Sequence, residues 1–412
     1  MEPLSVSLSQ NDLGRQYRVI YSLLLSLCMW ACDPEPASNL AINTSSDAST
    51  VDILEEFDAT VMDEVDTGVE VIPDPHGQLL AGVATRGHAD GIGGEIRVDG
   101  GTCLAYTERW LWFSDTFNGT LRRMDIETGE MSTMAGRPYE LAVVDGTPEE
   151  ARFENPRGCT LTDASHPLGP AFWVVDSSVL RKVTLSEDLS EVLTVTTVLG
   201  RAGEPGSGDG AGVEARLGYL IHHMVPSPND PVLYLADRSN DAVREVRMDE
   251  DGEMTLTTLQ RGLNSPGGLA WTTQGLLIAN TFDGELMLFD VEAGEISVIA
   301  DGLGEPQGLC TDDDFVWVAG FEGLITRIAL NTGETSVLAG VEGENNAFDG
   351  SVSKARLGGT FASLACDLER TRLLYMDINA NALRAVSTES GQVSTISGAS
   401  NPSIMRDGPN ER

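Results

Sequence analysis

A nine-residue segment recurs four times in this chain and constrains its fold more than any other feature. Each copy begins with Asp-Gly and carries an arginine seven residues after the aspartate, followed at once by an apolar residue. The copies are DGIGGEIRV (90–98), DGTPEEARF (145–153), DGAGVEARL (209–217) and DGSVSKARL (349–357). Such internal repetition indicates modules that cannot bury their apolar faces alone and must stack on their neighbours.

A second recurring element is a hairpin with a glycine in its turn. Segments such as LRRMDIETGEMSTMAG (121–136) and LMLFDVEAGEISVIADG (286–302) place a turn glycine between two strand-like stretches. Glycine suits this position because tight hairpins need a residue with positive φ. The turn glycines are Gly129, Gly252, Gly294, Gly333 and Gly391. The second unit, VTLSEDLSEVLTV, has no glycine in its turn.

Two further strands precede each hairpin. An inner strand, often opened by Pro-x-Gly as in PRGCTL and PGGLAW, leads to a strand ending in Asp or another turn former, as in FSDTFNGTLRRM. The units close at glycines 136, 200, 262, 302, 340 and 398. Four short strands in each of six units predict an all-β fold, a six-bladed β-propeller with four-stranded blades.

The combined pattern AG…DG…ARF…P-x-G…VAD…N…R resembles the NHL-repeat family over residues 77–412. The resemblance implies a six-bladed propeller of NHL type. The fourth and fifth units depart from it because they lack the nonapeptide, and Gly320 stands where the fifth unit should have Asp. We expect GQLLAG (77–82) to complete or extend the last blade and close the ring.

The residues before this domain are typical of a leader and a spacer. Arg15 and Arg18 precede an apolar run that ends at Cys32, and the run is too short to span a bilayer comfortably. Met-Trp-Ala-Cys resembles a bacterial lipobox, which implies that residues 1–32 are a signal peptide and Cys32 receives the lipid. An ordinary cleaved signal or an uncleaved anchor are the alternatives. Residues 33–76 contain 12 acidic residues and no Lys or Arg, which predicts a disordered acidic linker.

Net charge limits the classes of partner. At −38 the chain repels phosphate backbones and anionic lipid surfaces, so we expect no nucleic-acid binding and contact with membrane only through the lipidated N-terminus. The leader places the protein in the bacterial cell envelope, lipid-anchored and outside the cytoplasm. We expect a monomer.

The repeats place equivalent polar residues at one radius of the predicted disc. They are Asp115, Asp176, Asp237, Asn280 and Asp377. One interpretation is that each side chain caps its own turn. The other is a ring for a polar ligand or a cation, for which Ca²⁺ would suit converging oxygens. No cofactor is predicted beyond this, and no metal ligand can be assigned.

The nonapeptide arginines are Arg97, Arg152, Arg216 and Arg356. We expect the Ala-Arg-apolar part of each copy to lie along a blade junction. There the planar guanidinium can hydrogen-bond several carbonyls or a carboxylate, which is a structural role. A ligand-binding ring of arginines is the alternative.

Four cysteines fall near inner strands: Cys103, Cys159, Cys310 and Cys366. They are either buried thiols or disulfides. Pairing of neighbours such as Cys103 with Cys159 is conceivable, but four cysteines allow three connectivities and the sequence does not choose among them. Of the histidines, His222 and His223 fall on an inner strand, where one could face the channel.

The common linear signatures of zinc proteases and serine hydrolases are absent from the sequence. The leading hypothesis is therefore a cell-envelope lipoprotein whose propeller is a binding scaffold for a protein, peptide or glycan, without catalysis. The alternative is a propeller hydrolase or lyase, similar to lactonases or amidating lyases, with a divalent metal in the central channel.

Overall fold

The computed structural model describes residues 86–92, 95–312, 314–344, 347–358, 363–367, 371–377 and 382–397. It also describes two short strands, Ala41–Ile42 and Ile53–Leu54, which pair antiparallel. The chain divides into two compact units, Met1–Ile72 and Pro73–Arg412. Cys32, the rest of the leader and most of the acidic linker lie outside the described residues, so the predictions made for them stay predictions.

The second unit consists of six antiparallel sheets, each built from consecutive strands. In chain order we call the four strands of a blade inner, second, third and outer. Blade 1 comprises Gly101–Tyr106, Trp110–Asp115, Thr120–Asp125 and Glu130–Gly136. Blade 2 comprises Pro156–Thr162, Ala171–Asp176, Val179–Leu185 and Val192–Gly200. Blade 3 comprises Ile221–Pro226, Val232–Asp237, Ala242–Met248 and Met254–Arg261.

The remaining blades follow the same order. Blade 4 comprises Pro266–Thr272, Gly275–Asn280, Glu285–Asp290 and Glu295–Ala300. Blade 5 comprises Pro306–Thr311, Phe315–Gly320, Leu324–Ala329 and Thr335–Gly340. Blade 6 comprises Leu364–Cys366, Arg372–Asp377, Ala382–Ser387 and Val393–Ser397. Short 3₁₀ helices, Thr116–Asn118, Arg238–Asn240 and Thr281–Asp283, join second to third strands in blades 1, 3 and 4, and another, Gly212–Glu214, lies within a nonapeptide.

The six blades form a closed ring. Each inner strand contacts the inner strand of the next blade, and the inner strand of blade 6 contacts that of blade 1. At this last junction the Leu104 amide donates to Ser363 Oγ over 3.3 Å. Six apolar clusters fill the six junctions, each drawing side chains from two neighbouring blades. The predicted six-bladed propeller of four-stranded blades is confirmed.

Blade 6 takes all four of its described strands from the C-terminal part of the chain. Residues 77–82, which the sequence predicts to complete or extend this blade, lie outside the described residues. The described ring closes by side-chain packing between complete blades.

Local conformation explains the recurring glycines. Gly129, Gly294 and Gly391 adopt φ of 71°, 69° and 66°, in the left-handed region that side chains with a Cβ disfavour. In blade 2, where the turn lacks glycine, Leu189 adopts this conformation with φ of 58°. The turn there is supported by side-chain hydrogen bonds instead, among them one from the Ser190 amide to Asp188 Oδ1.

The glycines of the Pro-x-Gly starts lie where neighbouring inner strands approach each other around the central channel. A Cβ built on Gly158 would lie 2.6 Å from the Ile221 carbonyl oxygen on the inner strand of blade 3. A Cβ built on Gly308 would lie 2.9 Å from the amide nitrogen of Leu364 on the inner strand of blade 6. Glycine therefore allows neighbouring inner strands to approach closely around the central channel.

Candidate functional site

Each nonapeptide lies between the blade before it and the blade that follows it in sequence. Ala151 and Phe153 are fully buried in the cluster shared by blades 1 and 2, with Leu121 from blade 1 and Phe172 from blade 2. The other copies bury their apolar residues at the junctions of blades 2 with 3, 5 with 6, and 6 with 1. Near the start of the copy at 145–153, Gly146 pairs with Val195 on the outer strand of blade 2.

The aspartate of the nonapeptide binds side chains of the blade that follows. In blade 2, Asp145 Oδ2 accepts the Thr197 amide over 2.8 Å and Oδ1 accepts Thr197 Oγ1 over 2.9 Å, both from the outer strand. Asp145 Oδ1 also lies 2.9 Å from Arg181 Nη2. Arg181 stands on the third strand and its side chain is fully buried.

The buried arginine continues this network to the second strand. Arg181 Nη1 lies 3.0 Å from Asp176 Oδ2, and neither side chain is exposed. Asp176 Oδ1 accepts the amides of Glu154 and Asn155 over 3.0 and 2.7 Å, just before the inner strand. One aspartate–arginine–aspartate network therefore ties together all parts of the blade, from its outer strand to the entry of its inner strand.

The same network occurs in blades 1, 3 and 6. The nonapeptide aspartates Asp90, Asp209 and Asp349 bind Arg122, Arg244 and Arg384 over 2.8, 2.9 and 2.9 Å. The same arginines bind Asp115, Asp237 and Asp377 over 2.8, 2.9 and 3.2 Å. The outer-strand threonines are Thr133, Thr258 and Thr395.

Blades 4 and 5, which lack the nonapeptide, show no such network among their described residues. By strand register, Met287 and Thr326 occupy the positions of the buried arginine. Val298 and Val337 replace the outer-strand threonine, and each is 51 % exposed. The nonapeptide and the residues that receive it are therefore present or absent together.

These contacts define the surroundings of the predicted polar ring. Asp115, Asp176, Asp237 and Asp377 are fully buried and each binds an arginine, so a cation there would have to displace a guanidinium. Asn280 Oδ1 accepts the Asn264 amide, and Asn280 Nδ2 donates to Asp283. Burial raises the pKa of Asp115 and of Asp176 to about 6, against the opposing effect of the arginines and amides. No group of three His, Cys, Asp or Glu side chains suited to a metal ion occurs among the described residues.

The nonapeptide arginines make a different set of contacts. The side chains of Arg152 and Arg216 lie 2.7 and 2.9 Å from Glu140 and Glu204, each 12 residues earlier. Arg356 pairs with Glu344 in the same way. Arg152 Nη1 also donates to the carbonyls of residues 149, 150 and 151. These arginines fold their own loops and stay partly exposed, and the Arg97 side chain donates only to the Glu95 carbonyl in the described part of the chain.

Sequence reasoning missed the four buried arginines, Arg122, Arg181, Arg244 and Arg384. Each donates through its guanidinium to the backbone carbonyl of the nonapeptide arginine in its own blade. The signal was present in the repeat, because an arginine follows the strand-ending Asp by five or seven residues in the four units that carry the nonapeptide.

An open cavity of about 340 Å³ lies in the central channel. All six inner strands contribute to its lining. The lining residues are Leu104, Ala105, Tyr106, Cys159, Thr160, Leu161, His223, Met224, Val225, Leu269, Ala270, Trp271, Leu309, Cys310, Thr311, Leu364 and Cys366. None of them is Asp, Glu, Lys or Arg. Trp271 stacks on Tyr234 with ring centroids 5.2 Å apart.

The four inner-strand cysteines form two disulfides. Cys103 joins Cys159 across blades 1 and 2 with a Cα–Cα distance of 5.7 Å. Cys310 joins Cys366 across blades 5 and 6 with a Cα–Cα distance of 5.8 Å. Of the connectivities that the sequence left open, the structure adopts the pairing of neighbouring blades.

The two adjacent histidines also lie at the channel. His223 lines the cavity and its Nδ1 accepts the Leu269 amide over 3.2 Å. Burial lowers the pKa of His223 to about 4. Burial, followed by the nearby Arg157 and Arg238, lowers the pKa of His222 well below its ordinary value. Both imidazoles are therefore neutral at pH 7.

No helix among the described residues is long and apolar enough to cross a membrane.

Comparison with known proteins gives a likeness in solved structures only. No family model matches the chain, and no curated protein matches it. A nidogen–laminin complex is 14 % identical, with 69 % of this chain and 92 % of that chain covered and a TM-score of 0.47. An auxiliary nutrient binding protein from Bacteroides thetaiotaomicron is 13 % identical, with 69 % and 73 % covered and a TM-score of 0.49. A streptogramin B lyase is 12 % identical, with 73 % and 83 % covered and a TM-score of 0.44.

Likenesses this distant say nothing about the ligand or the chemistry of this chain. The propeller assignment depends on its strand pairing and its six junctions. Membership of the NHL-repeat family stays a prediction.

Proposed function

We propose that this chain is a lipoprotein of a bacterial cell envelope whose NHL-type propeller binds an uncharged segment of a protein, peptide or glycan in its central channel. The observation that carries the proposal is the uncharged lining of the 340 Å³ cavity in a chain with a net charge of −38. Charged side chains are absent from the lining of this cavity, which favours a ligand portion without charge.

The size and chemistry of the cavity support binding of one compact unit. Its volume is at the lower end of the range for small-molecule sites, which is roughly 300–1,000 Å³. Trp271 and Tyr106 supply aromatic surface, and Thr160 and Thr311 supply hydroxyl groups. Aromatic surface with a few polar groups is the usual composition of a binding pocket, and it suits one sugar ring or one side chain of a longer ligand.

The metal-dependent alternative has less support in the side chains present. The carboxylates that could supply a cation site are bound to buried arginines and to backbone amides. Removing one of them from its arginine would break a fully buried ion pair, which is strongly unfavourable. Binding is therefore the function that the geometry favours.

The test is a titration of intrinsic tryptophan fluorescence with neutral oligosaccharides and with uncharged peptides. We expect saturable binding of at least one probe, weakened tenfold or more by Trp271→Ala. Trp110→Ala is the matched control, because Trp110 lies at the start of a second strand, outside the cavity lining. Failure of every probe to bind with a Kd below about 1 mM, or equal loss in both variants, would contradict the proposal.

A further inference from the structure

A second feature of the channel lies at the starts of the inner strands, before the residues that line the cavity. Arg157 and Gln307 are the second residues of the inner strands of blades 2 and 5, and His222 is the second residue of that of blade 3. Arg238 follows the second strand of blade 3 and reaches across to blade 5, where its Nη1 donates to Gln307 Oε1 over 3.0 Å. We call these four residues the arginine cluster.

The cluster concentrates positive charge inside an acidic protein. Arg157 Nη1 lies 2.9 Å from His222 Nε2. The guanidinium group has only donors, so the imidazole accepts through Nε2 and is neutral. Burial lowers the pKa of Arg157 to about 10, and that of Arg238 is also lowered by burial first, with Glu305 and Asp241 opposing the shift. Both arginines nevertheless remain protonated at pH 7.

Arg238 differs from the four buried arginines of the blade networks. Arg122, Arg181, Arg244 and Arg384 each form ion pairs with two aspartates. Within the described part of the chain Arg238 forms no ion pair, and its one side-chain hydrogen bond goes to a neutral amide. The guanidinium is part-buried and its charge is only partly offset by Glu305 and Asp241, so an anion in the channel would add to its charge compensation.

The orientation of Arg238 leaves one edge of its guanidinium available. Nη1 is used by Gln307, while Nε and Nη2 make no hydrogen bond with the described residues. The Nε–Nη2 edge is the one that pairs with the two oxygens of a carboxylate. The ring centroids of Phe282 and Phe321 lie 5.3 and 6.0 Å from the guanidinium carbon of Arg238, and the two rings restrict the position of the guanidinium.

We propose that the arginine cluster is a binding site for a compact monocarboxylate, held by two parallel hydrogen bonds from Arg238 and by the charge of Arg157. A single charge fits because His222 is neutral and because Glu305 and Asp241 offset part of the field at Arg238. A dianion such as phosphate would carry more negative charge than the two arginines, partly offset by Glu305 and Asp241, can balance.

The test is isothermal titration calorimetry of the full chain at low ionic strength, with acetate, D-galacturonate, D-galactose and inorganic phosphate as probes. We expect at least one of the two carboxylates to bind, D-galactose to bind at least tenfold more weakly than D-galacturonate, and phosphate to bind more weakly than the carboxylates. Absence of binding by both carboxylates, equal binding of D-galactose and D-galacturonate, or tighter binding of phosphate would overturn the proposal.

Substitutions locate the binding to the cluster. Arg238→Gln should weaken carboxylate binding tenfold or more, and Arg238→Lys should restore part of it, because a lysine keeps the charge without the planar edge. Arg247→Gln is the matched control, since Arg247 lies in the same blade on an exposed ion pair with Glu245. Unchanged binding in Arg238→Gln would overturn the assignment, and the comparison of probes on the unmodified protein decides the question if this variant does not fold.

This inference goes beyond the proposed function and fails separately from it. Loss of neutral-ligand binding in Trp271→Ala concerns the cavity, whereas carboxylate binding depends on Arg238, which does not line the cavity.

Discussion

Arg181 donates from Nη1 to Asp176 Oδ2 over 3.0 Å in blade 2, and both side chains are fully enclosed by the protein. Removing one partner of a buried ion pair leaves an uncompensated charge and typically costs about 3–5 kcal/mol. We expect Arg181→Met to lower the free energy of unfolding by about this amount, measured by urea denaturation.

Blade 4 supplies the matched control for that experiment. Its own residues at the two positions are Asn280 and Met287. The double variant Asp176→Asn, Arg181→Met should therefore be more stable than Arg181→Met alone, since Asp145 keeps the hydrogen bonds from Thr197 to both of its oxygens. Arg247→Met, which removes a half-exposed guanidinium from its pair with Glu245, should cost no more than about 1 kcal/mol. A double variant less stable than Arg181→Met would show that the unpaired charge of Asp176 is not the cause of the stability loss in Arg181→Met.

His223 should make stability decrease as the solution is acidified. Burial lowers its pKa to about 4 in the folded protein, whereas an unfolded histidine titrates near 6.5. Between these values the unfolded chain binds the proton and the folded chain does not. The contribution of neutral His223 to the free energy of unfolding is therefore fully present above pH 6.5. It is lost as the pH falls towards 4, by about 1.4 kcal/mol for each pH unit.

The effect must be measured by comparing variants, because Asp115 and Asp176 act with the opposite sign. Their pKa values are raised to about 6, so their protonation stabilises the folded state as pH falls through 6. His223→Gln should reduce the loss of stability between pH 6.5 and 4 relative to the unmodified protein. Identical pH profiles for His223→Gln and the unmodified protein would contradict the prediction.

The two disulfides should be detectable and stabilising. Peptide mapping without reduction should show Cys103 linked to Cys159 and Cys310 linked to Cys366. Each closes a separation of 56 residues, for which the chain-entropy model gives about 4 kcal/mol. We expect Cys103→Ala, Cys159→Ala to lower stability by about 2–4 kcal/mol, and free thiols at these positions in the oxidised protein would refute the pairing.

The outer strands should differ in hydrogen exchange. The amides of Thr133, Thr197 and Thr395 donate to nonapeptide aspartates. Val298 and Val337 hold the equivalent positions in blades 4 and 5, which have no nonapeptide. Residue-resolved exchange should be at least tenfold faster at the two valines. Asp145→Ala should raise the exchange rate at Thr197 alone, and equal rates at all five positions in the unmodified protein would contradict this account.

The anchoring prediction depends on Cys32. Radiolabelled palmitate should be incorporated into the full chain in a bacterial host and lost in Cys32→Ala, which should then appear in the soluble fraction. Cys28→Ala is the control, because Cys28 lies within the apolar run of the leader. Continued labelling and membrane association of Cys32→Ala would exclude Cys32 as the lipid attachment site.

The architecture was predictable because it depends on local rules that repeat. Turn glycines, Pro-x-Gly starts and strand-ending aspartates each report a backbone requirement that is visible in a few adjacent residues. Six copies of such a pattern leave little freedom in how the sheets are arranged. The departure at Leu189 shows the limit of this reasoning, since a non-glycine residue adopts the left-handed conformation where neighbouring side chains hold the turn.

The side-chain network was not predictable in the same way. Arg181 meets Asp145 and Asp176 from another strand, at separations of 36 and 5 residues, and nothing local to the nonapeptide identifies that partner. Arg152 is conspicuous in the sequence because it lies within the repeated segment, yet its side chain stays partly exposed. A comparison of the four units that carry the nonapeptide with the two that lack it identifies Arg181, because the nonapeptide and the arginine at this third-strand position are missing from the same two units. The roles of Asp115, Asp176, Asp237, Asn280 and Asp377 in ligand binding stay a prediction.

The position of the two disulfides has a consequence for the seam between blades 6 and 1. Among the described residues, that junction is closed by apolar packing and by the hydrogen bond between Leu104 and Ser363, and no disulfide crosses it. The junctions on either side, between blades 1 and 2 and between blades 5 and 6, are each cross-linked. Separation of blades that starts at this junction therefore meets a disulfide at the next junction in both directions, so it cannot spread from there to the other half of the ring without breaking a covalent bond.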